Sequence, residues 1–544
     1  MKSNTWNNAI SYLQFVGYAI IAVALSFSNF FMSFGMLWLA GVLVLQIATD
    51  LYRKQTVVQR WKRFVSNSSA VALSAIIFLP LVGLLWTVDF NHAFWDLRMK
   101  LPLFALPLLF SVLNPISQGQ FRAIIGLFIS GVACAVVFCL MAYWVGSPEI
   151  SDDVRKMSVF ISHVRFSLLI ALAFGLLVRY GYSSTTGIIL IFLFSVPSIY
   201  FLYVIGSVTG ISALAMLLVW GAIRQANQQS TILRKVAVIS IPLVLFTTLF
   251  LYLSSAYREY FTLKVSANVP MELTTARGVA YKHHTDYPLI ENGRLVYAYV
   301  ADEELYEGWY NKSTIHLDSL DGRGNALKST LIRYLTSKDL RKDADGVASL
   351  TQEDVLAIES GIPTCFEQSQ LGLTRRLNRI FFEFSNYKAG GTPNGHSVVQ
   401  RWEFWKTAWF IIKRNWLLGV GTGDIKTAFK EAYTERESAL SERYRLRAHN
   451  QYLTMWATYG IFGLLIFLAI TLWPVFIKSQ SDVNVQMIVL LAALSFLTED
   501  TLETQAGVMF MAFFYSLFTS KKSLSLFELR TTKGKDVRPF TKAK

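Results

Sequence analysis

Apolar runs of about 20 residues recur along this chain, and a helix of that length crosses a hydrocarbon core roughly 30 Å thick. The stretch from Tyr18 to Ser28, continuing through Phe30 to Thr49, shows the pattern early. A chain of 544 residues that is 53% apolar, 14% aromatic and only 16% charged is not an ordinary soluble protein, and a purely cytosolic enzyme is excluded. Apolar runs bounded by charge or turn residues give about 12 candidate spans. Their centres lie near Ala22, Leu39, Phe78, Leu106, Ala133, Leu172, Phe192, Leu214, Leu245, Ile466, Leu491 and Phe513. The fourth, starting at Leu101-Pro102, is short. The expected fold class is an all-α integral membrane protein of about 12 transmembrane helices with a large mixed α/β loop between helices 9 and 10.

The formal net charge of +15 would suggest nucleic acid in a soluble protein, but most of it flanks the spans. Arg53, Lys54, Arg60, Lys62 and Arg63 follow the second run, and Lys521, Lys522, Arg530, Lys533, Lys535, Arg538, Lys542 and Lys544 fill the tail. These read as cytoplasmic anchors facing anionic lipid, with no nucleic-acid partner. Arg122, Arg179, Arg224, Arg234, Lys235 and Lys478 fall on the same side, so both termini are expected in the cytoplasm. Lys2 alone precedes the first run and no small-x-small cleavage site follows, which reads as a retained span. Cys134 and Cys139 share one apolar run and Cys365 stands alone, so no disulfide framework, redox or metal role follows.

Residues 1-254 are expected to hold spans 1 to 9, residues 452-520 spans 10 to 12, and residues 521-544 the basic tail. Between them, residues 255-451 form about a third of the chain yet hold roughly two thirds of its Asp and Glu, the signature of a water-exposed domain on the outer side. Its first part reads as β-rich, with alternation from Arg294 to Val300 after the Asn292-Gly293 turn signal. Capping-box spacing at Ser349 with Gln352 and at Ser397 with Gln400 predicts helices beginning near Leu350 and Val398. The second places Trp402, Trp405, Trp409, Ile412 and Trp416 on one stripe, suited to packing on the spans or lying at the membrane interface. Plain core packing is the alternative for each Trp taken singly.

The strongest chemical signal is Arg443-Tyr-Arg-Leu-Arg-Ala-His449-Asn-Gln-Tyr452, immediately before the tenth span. A neutral imidazole is the natural general base near neutral pH, and guanidinium forks match phosphate oxygens. A juxtamembrane basic collar with an interfacial histidine is the equal alternative. Gly419-x-Gly421-x-Gly423 follows a helix and opens no βαβ unit, which argues against a dinucleotide site. Glu499, Asp500 and Glu503 could orient an acceptor, or cap and solvate their turn, which is the favoured reading. His283 and His284 have no partners at metal-ligand spacing.

Arg447-Ala-His449-Asn450-Gln451-Tyr452, followed by Tyr459-Gly460-Ile-Phe-Gly463, resembles the signature of the O-antigen ligase and O-antigen polymerase superfamily. Arg401-x-x-x-Trp405-x-x-Ala408 and Leu418-Gly-Val-Gly-Thr-Gly423 resemble the helix and glycine turn that precede that histidine in the family. The resemblance implies that residues 398-449 carry the catalytic helices and that residues 269-393 are an extra insertion in an enlarged periplasmic loop, similar to ligase-like proteins of Bacteroidota-type bacteria. It implies that His449 deprotonates the acceptor hydroxyl and that Arg401 and Arg447 hold the donor diphosphate. A further family arginine is replaced here by Val208, within Gly206-Ser-Val208-Thr-Gly210. Arg165, at the outer mouth of the sixth span, is the candidate for supplying the missing charge; an arginine snorkelling to the interface is the alternative.

The function implied is an inverting, metal-independent glycosyltransferase of the bacterial inner membrane, with its active site facing the periplasm and no cofactor. It would move O-antigen glycan from undecaprenyl diphosphate to lipid A-core oligosaccharide, so its partners are the carrier-linked donor, a glycan acceptor and membrane lipids. The superfamily's polymerase, a protein-glycosylating relative and a non-enzymatic lipid-linked glycan transporter are the rival readings.

Overall fold

The computed structural model describes residues 2–52, 58–146, 154–263, 271–284, 286–369, 372–477 and 482–533. Arg53, Lys54, Lys478, Lys535, Arg538, Lys542, Lys544 and the expected start of the insertion at Val269 lie outside them. The chain divides into two compact units: 1–221 with 404–438 and 445–544, and 222–403 with 439–444.

All 12 expected span centres fall within helices. Among the described residues, eight helices are long and apolar enough to cross a membrane: Asn29–Tyr52, Ser68–Trp86, Gln118–Val145, His163–Gly181, Thr185–Val204, Val208–Asn227, Ile232–Phe261 and Gln451–Phe476. The other four centres sit in Lys2–Ala24, Pro102–Val112, Val483–Thr498 and Gln505–Lys533. The short fourth apolar run has a structural counterpart. Leu101 is right-handed helical (φ −51°, ψ −37°), so the backbone stays helical from Phe90–Lys100 into Pro102–Val112, and Pro102, which has no N–H to donate, interrupts the hydrogen-bond ladder between them.

The first unit is a helical assembly with an aromatic core. Phe128, Phe513, Phe514 and Tyr515 are fully buried, and Tyr18 stacks on Phe110 with ring centroids 4.3 Å apart. Gln118–Val145 starts at a full capping box, Ser117 with Gln120, and ends at Gly146 in the left-handed conformation. Two of the expected lipid-facing cations turn inward. Arg60 pairs with Asp50 and donates to Val112 O at 3.0 Å, and Arg63 donates to Val112 O and Leu113 O at 3.3 Å, so both satisfy carbonyls ending the helix Pro102–Val112.

The second unit is largely helical beyond its first turns. Asn292 (φ 51°) and Gly293 (φ 75°) close a hairpin in which Ile290 pairs with Leu295 and Glu291 with Arg294. The expected β-rich stretch ends there. Tyr299 adopts φ 57°, which breaks the extended run, and Val296, Ala298 and Val300 are buried without a continuing ladder. Trp309, Leu331, Tyr334, Val355 and Ile358 form the core. Beside it Arg333 makes a bidentate pair with Glu291 (3.0 and 2.8 Å) and lies 3.5 Å from the Phe382 ring centroid. The capping box near Leu350 falls two residues later than the spacing predicts, at Thr351 with Asp354, starting Gln352–Glu359. The second helix runs over Ser397–Arg414 as expected, with Val398 N–H donating to Glu383 Oε2 at 2.8 Å.

Candidate active site

Within the first unit, the sequence motif around His449 is tied to the turn that follows Val483–Thr498. Asp500 accepts from His449 N–H at 2.9 Å, Asn450 N–H at 3.2 Å and the Thr454 hydroxyl at 2.6 Å. Asn450 caps the helix Gln451–Phe476 by accepting from Leu453 N–H, while its amide donates to Leu497 O. Gln451 accepts from Leu502 N–H at 2.7 Å, and the Tyr452 hydroxyl donates to Ala493 O at 3.1 Å. Each consecutive residue from 449 to 452 thus has a bond to residues 493 to 502. The Glu499 to Glu503 turn is an anchor, with Asp500 and Glu503 under a tenth exposed, and not the solvated cap favoured from sequence.

His449 has φ 46°, a left-handed conformation that costs an L-residue with a side chain about 1–2 kcal/mol and persists where surrounding bonds over-determine it. Its Nδ1 lies 3.3 Å from Glu499 Oε2, and its ring stacks on Phe404, centroids 5.5 Å apart and planes 27° from parallel. An ionised carboxylate only accepts, so in the neutral imidazole this pairing puts the proton on Nδ1 and leaves the lone pair on Nε2. The imidazole is 31% exposed, enough to meet a substrate.

Arg447 donates from NH1 to Glu503 Oε2 at 3.0 Å. Glu503 also receives Lys100 Nζ at 2.9 Å, and Lys100 bonds both Asp96 oxygens at 2.6 Å. Burial alone would raise the Glu503 carboxyl, but the Lys100 and Arg447 charges hold it below the usual range. Burial pushes the Asp500 carboxyl upward against the stabilising Thr454 hydroxyl and Arg447. Arg165 opens the helix His163–Gly181; its Nε is buried with no hydrogen-bond partner among the described residues, and Glu499 is the carboxylate whose charge acts on it. Arg401 belongs to the second unit, where NH1 donates to Ser397 O at 3.3 Å. Among the described residues no group of three or more His, Cys, Asp or Glu is placed to hold a metal ion.

The glycine run shapes the helix that carries the motif. Gly460 (φ 68°, ψ −172°) breaks Gln451–Phe476, and the carbonyls this leaves open are taken by the run: Val420 N–H donates to Ala457 O and Gly421 N–H to Thr458 O, both at 3.0 Å. A Cβ on Gly460 would stand 2.0 Å from Leu417 O, and one on Gly419 2.3 Å from Thr458, so both positions require glycine. Asp424 then accepts from Val88 N–H and Asp89 N–H, which pins the run to the start of Phe90–Lys100. On the helix Ser397–Arg414, Phe404, Ala408, Ile411 and Ile412 are buried while Trp402 and Trp409 are half exposed, as is Trp416 in the turn that follows the helix. Trp402 and Trp409 therefore lie on the helix's outer face, and none of the three tryptophans belongs to the core.

Sequence reasoning missed Lys100, Asp96 and Phe404. Lys100 closes a charged helix that reads as a span flank, and Phe404 is one aromatic among many.

No curated protein matches the chain. Residues 355–468 match the family model described as O-antigen ligase, a segment that begins inside the expected insertion and runs through His449 and the Gly460 break. Together with the series of apolar helices, that match makes this chain a multi-pass membrane protein whose residues 355–468 are similar to the O-antigen ligase family.

Proposed function

We propose that the chain is an inverting glycosyltransferase that moves O-antigen glycan from undecaprenyl diphosphate to lipid A-core oligosaccharide on the periplasmic side of the inner membrane. The observation that carries this reading is the His449 imidazole, held at Nδ1 by Glu499 with the lone pair of Nε2 left for a substrate hydroxyl. The acceptor oxygen attacks the anomeric carbon from the face opposite the carrier and forms the new glycosidic bond. The anomeric C–O bond to the diphosphate breaks, its electron pair leaves with the diphosphate, and the hydroxyl proton passes to His449 Nε2. Arg165 and Arg401 are assigned to the diphosphate, Arg401 on the resemblance alone. Fixed guanidinium groups stabilise the charge that develops on the leaving group without a divalent ion. Arg447 is assigned to the same anion through the guanidinium nitrogens that Glu503 leaves over, with its first role in holding the motif.

Reconstitution with purified carrier-linked donor and lipid A-core tests the proposal. Capped lipid A-core, formed equally well in excess chelator, is the expected product. Elongated carrier-linked glycan would identify a polymerase instead, and movement of intact donor across the bilayer without a new glycosidic bond would identify a transporter. Loss of transfer in chelator with recovery on adding magnesium or manganese would overturn the metal-independent mechanism.

A further inference from the structure

Three buried charged side chains without an assigned role, Lys100, Asp96 and Glu503, form a network with Arg447 beside the motif. Lys100 Nζ lies 2.6 Å from both Asp96 carboxylate oxygens and 2.9 Å from Glu503 Oε1, and Arg447 reaches Glu503 Oε2 at 3.0 Å. The side chains of Lys100, Asp96 and Glu503 are 2%, 4% and 4% exposed, and the two cations balance the two anions. Buried ion sets of this kind are weak evidence for stability, since well-packed apolar groups of similar volume often serve as well, so the location of this one calls for another reason.

What the network holds supplies it. Glu503 is the shared partner of Arg447, two residues before His449, and of Gln451, two residues after it, whose Nε2 donates to Oε1 at 3.4 Å. Both flanks of the left-handed His449 backbone are therefore fixed to one carboxylate, and Lys100 fixes that carboxylate. Phe90–Lys100 is in turn pinned at its start by the Asp424 bonds to Val88 and Asp89. We propose that Lys100 is a positioning residue for glycan transfer: it never touches substrate, but through Glu503 it holds Arg447 and Gln451 and so aims the His449 imidazole. This rests on the assignment of His449 as the base.

Two readouts on the full-length protein test it. Lys100→Met alone strands two buried carboxylates, so the variant to use is Asp96→Asn with Lys100→Met, which removes one charge of each sign and leaves Glu503 and Arg447 balanced. Hydrogen exchange at the His449 and Asn450 amides, which needs no substrate, should accelerate at least about tenfold, while amides of the helix His163–Gly181 stay protected. Turnover should fall by about 10-fold to 100-fold. In a His449→Ala background the same double substitution should cost no further turnover, because its effect passes through the histidine. Unchanged amide protection would overturn the proposal whatever the activity. So would an equal loss added on top of His449→Ala. A wild-type protein that forms no glycosidic product defeats the functional reading, and the exchange result still decides the lock. Should the double variant fail to fold, Glu503→Gln keeps the side-chain shape and carries the same two readouts.

Discussion

The main-chain N–H of His449 donates to Asp500 Oδ2 at 2.9 Å, and the same carboxylate takes Asn450 N–H and the Thr454 hydroxyl. One buried acceptor thus serves two consecutive amides beside a strained residue. Asp500→Ala strands those donors, and each unsatisfied buried group costs about 1–3 kcal/mol. Thermal unfolding in detergent should show a loss of roughly 3 kcal/mol or more, against about half of that for Asp500→Asn, which keeps one acceptor oxygen. Equal unfolding temperatures for wild type and Asp500→Ala would show that the turn is not an anchor.

The imidazole and its carboxylate partner separate chemistry from orientation. His449→Ala should lower turnover by about 100-fold to 10,000-fold while the fold and donor binding persist. Glu499→Gln keeps a polar partner at Nδ1 but loses the ionised acceptor, so its loss should be smaller, on the order of tenfold. Near-normal transfer by a well-folded His449→Ala protein would remove the base assignment and leave His163 and the Glu499 to Glu503 turn as candidates.

What was legible in the sequence follows from the distance over which each signal acts. Apolar runs announce spans because membrane thickness demands their length locally, and every expected centre lies in a helix. Asn292-Gly293 announced its hairpin for the same reason, since two residues decide that turn. The Tyr299 conformation that ends the extended run is set by the surrounding core and left no local mark. Glu499, Asp500 and Glu503 looked like a solvated cap because their partners, Arg447 to Thr454, lie about 50 residues earlier in the chain. Lys100 is more distant still from Glu503, and a lysine at the edge of an apolar run reads as an anchor until the fold is known.

The second unit contains a group that titrates with the fold. His396 packs edge-on to Phe382, and burial, with the charges of Arg333 and Arg379, lowers its pKa to about 4. The unfolded chain takes up this proton near pH 6.5, roughly the reference value, and the folded chain only near 4. The stability from a neutral His396 is therefore complete above pH 6.5 and is lost as pH falls toward 4, at about 1.4 kcal/mol per pH unit. Amide exchange over residues 372–403, corrected for intrinsic rates, should show protection falling across that window in wild type and a flatter profile in His396→Gln. Parallel profiles would rule out His396 as the titrating group.

Arg165 offers a test in which stability and activity move apart. A buried guanidinium nitrogen without a hydrogen-bond partner costs the folded state about 1–3 kcal/mol, so a side chain kept there only for structure should be missed when removed. Arg165→Met fills similar volume with no stranded donor, and the unfolding temperature should stay level or rise. Transfer should nevertheless fall, with donor KM and turnover both impaired, because a charge that grips the diphosphate in the ground state grips it harder as it leaves. Arg165→Lys should restore only part of the loss, since an ammonium cannot present the guanidinium's fork of donors. If Arg165→Met transfers glycan at the wild-type rate with unchanged donor KM, Arg165 is an interfacial arginine and the charge missing at Val208 is supplied elsewhere.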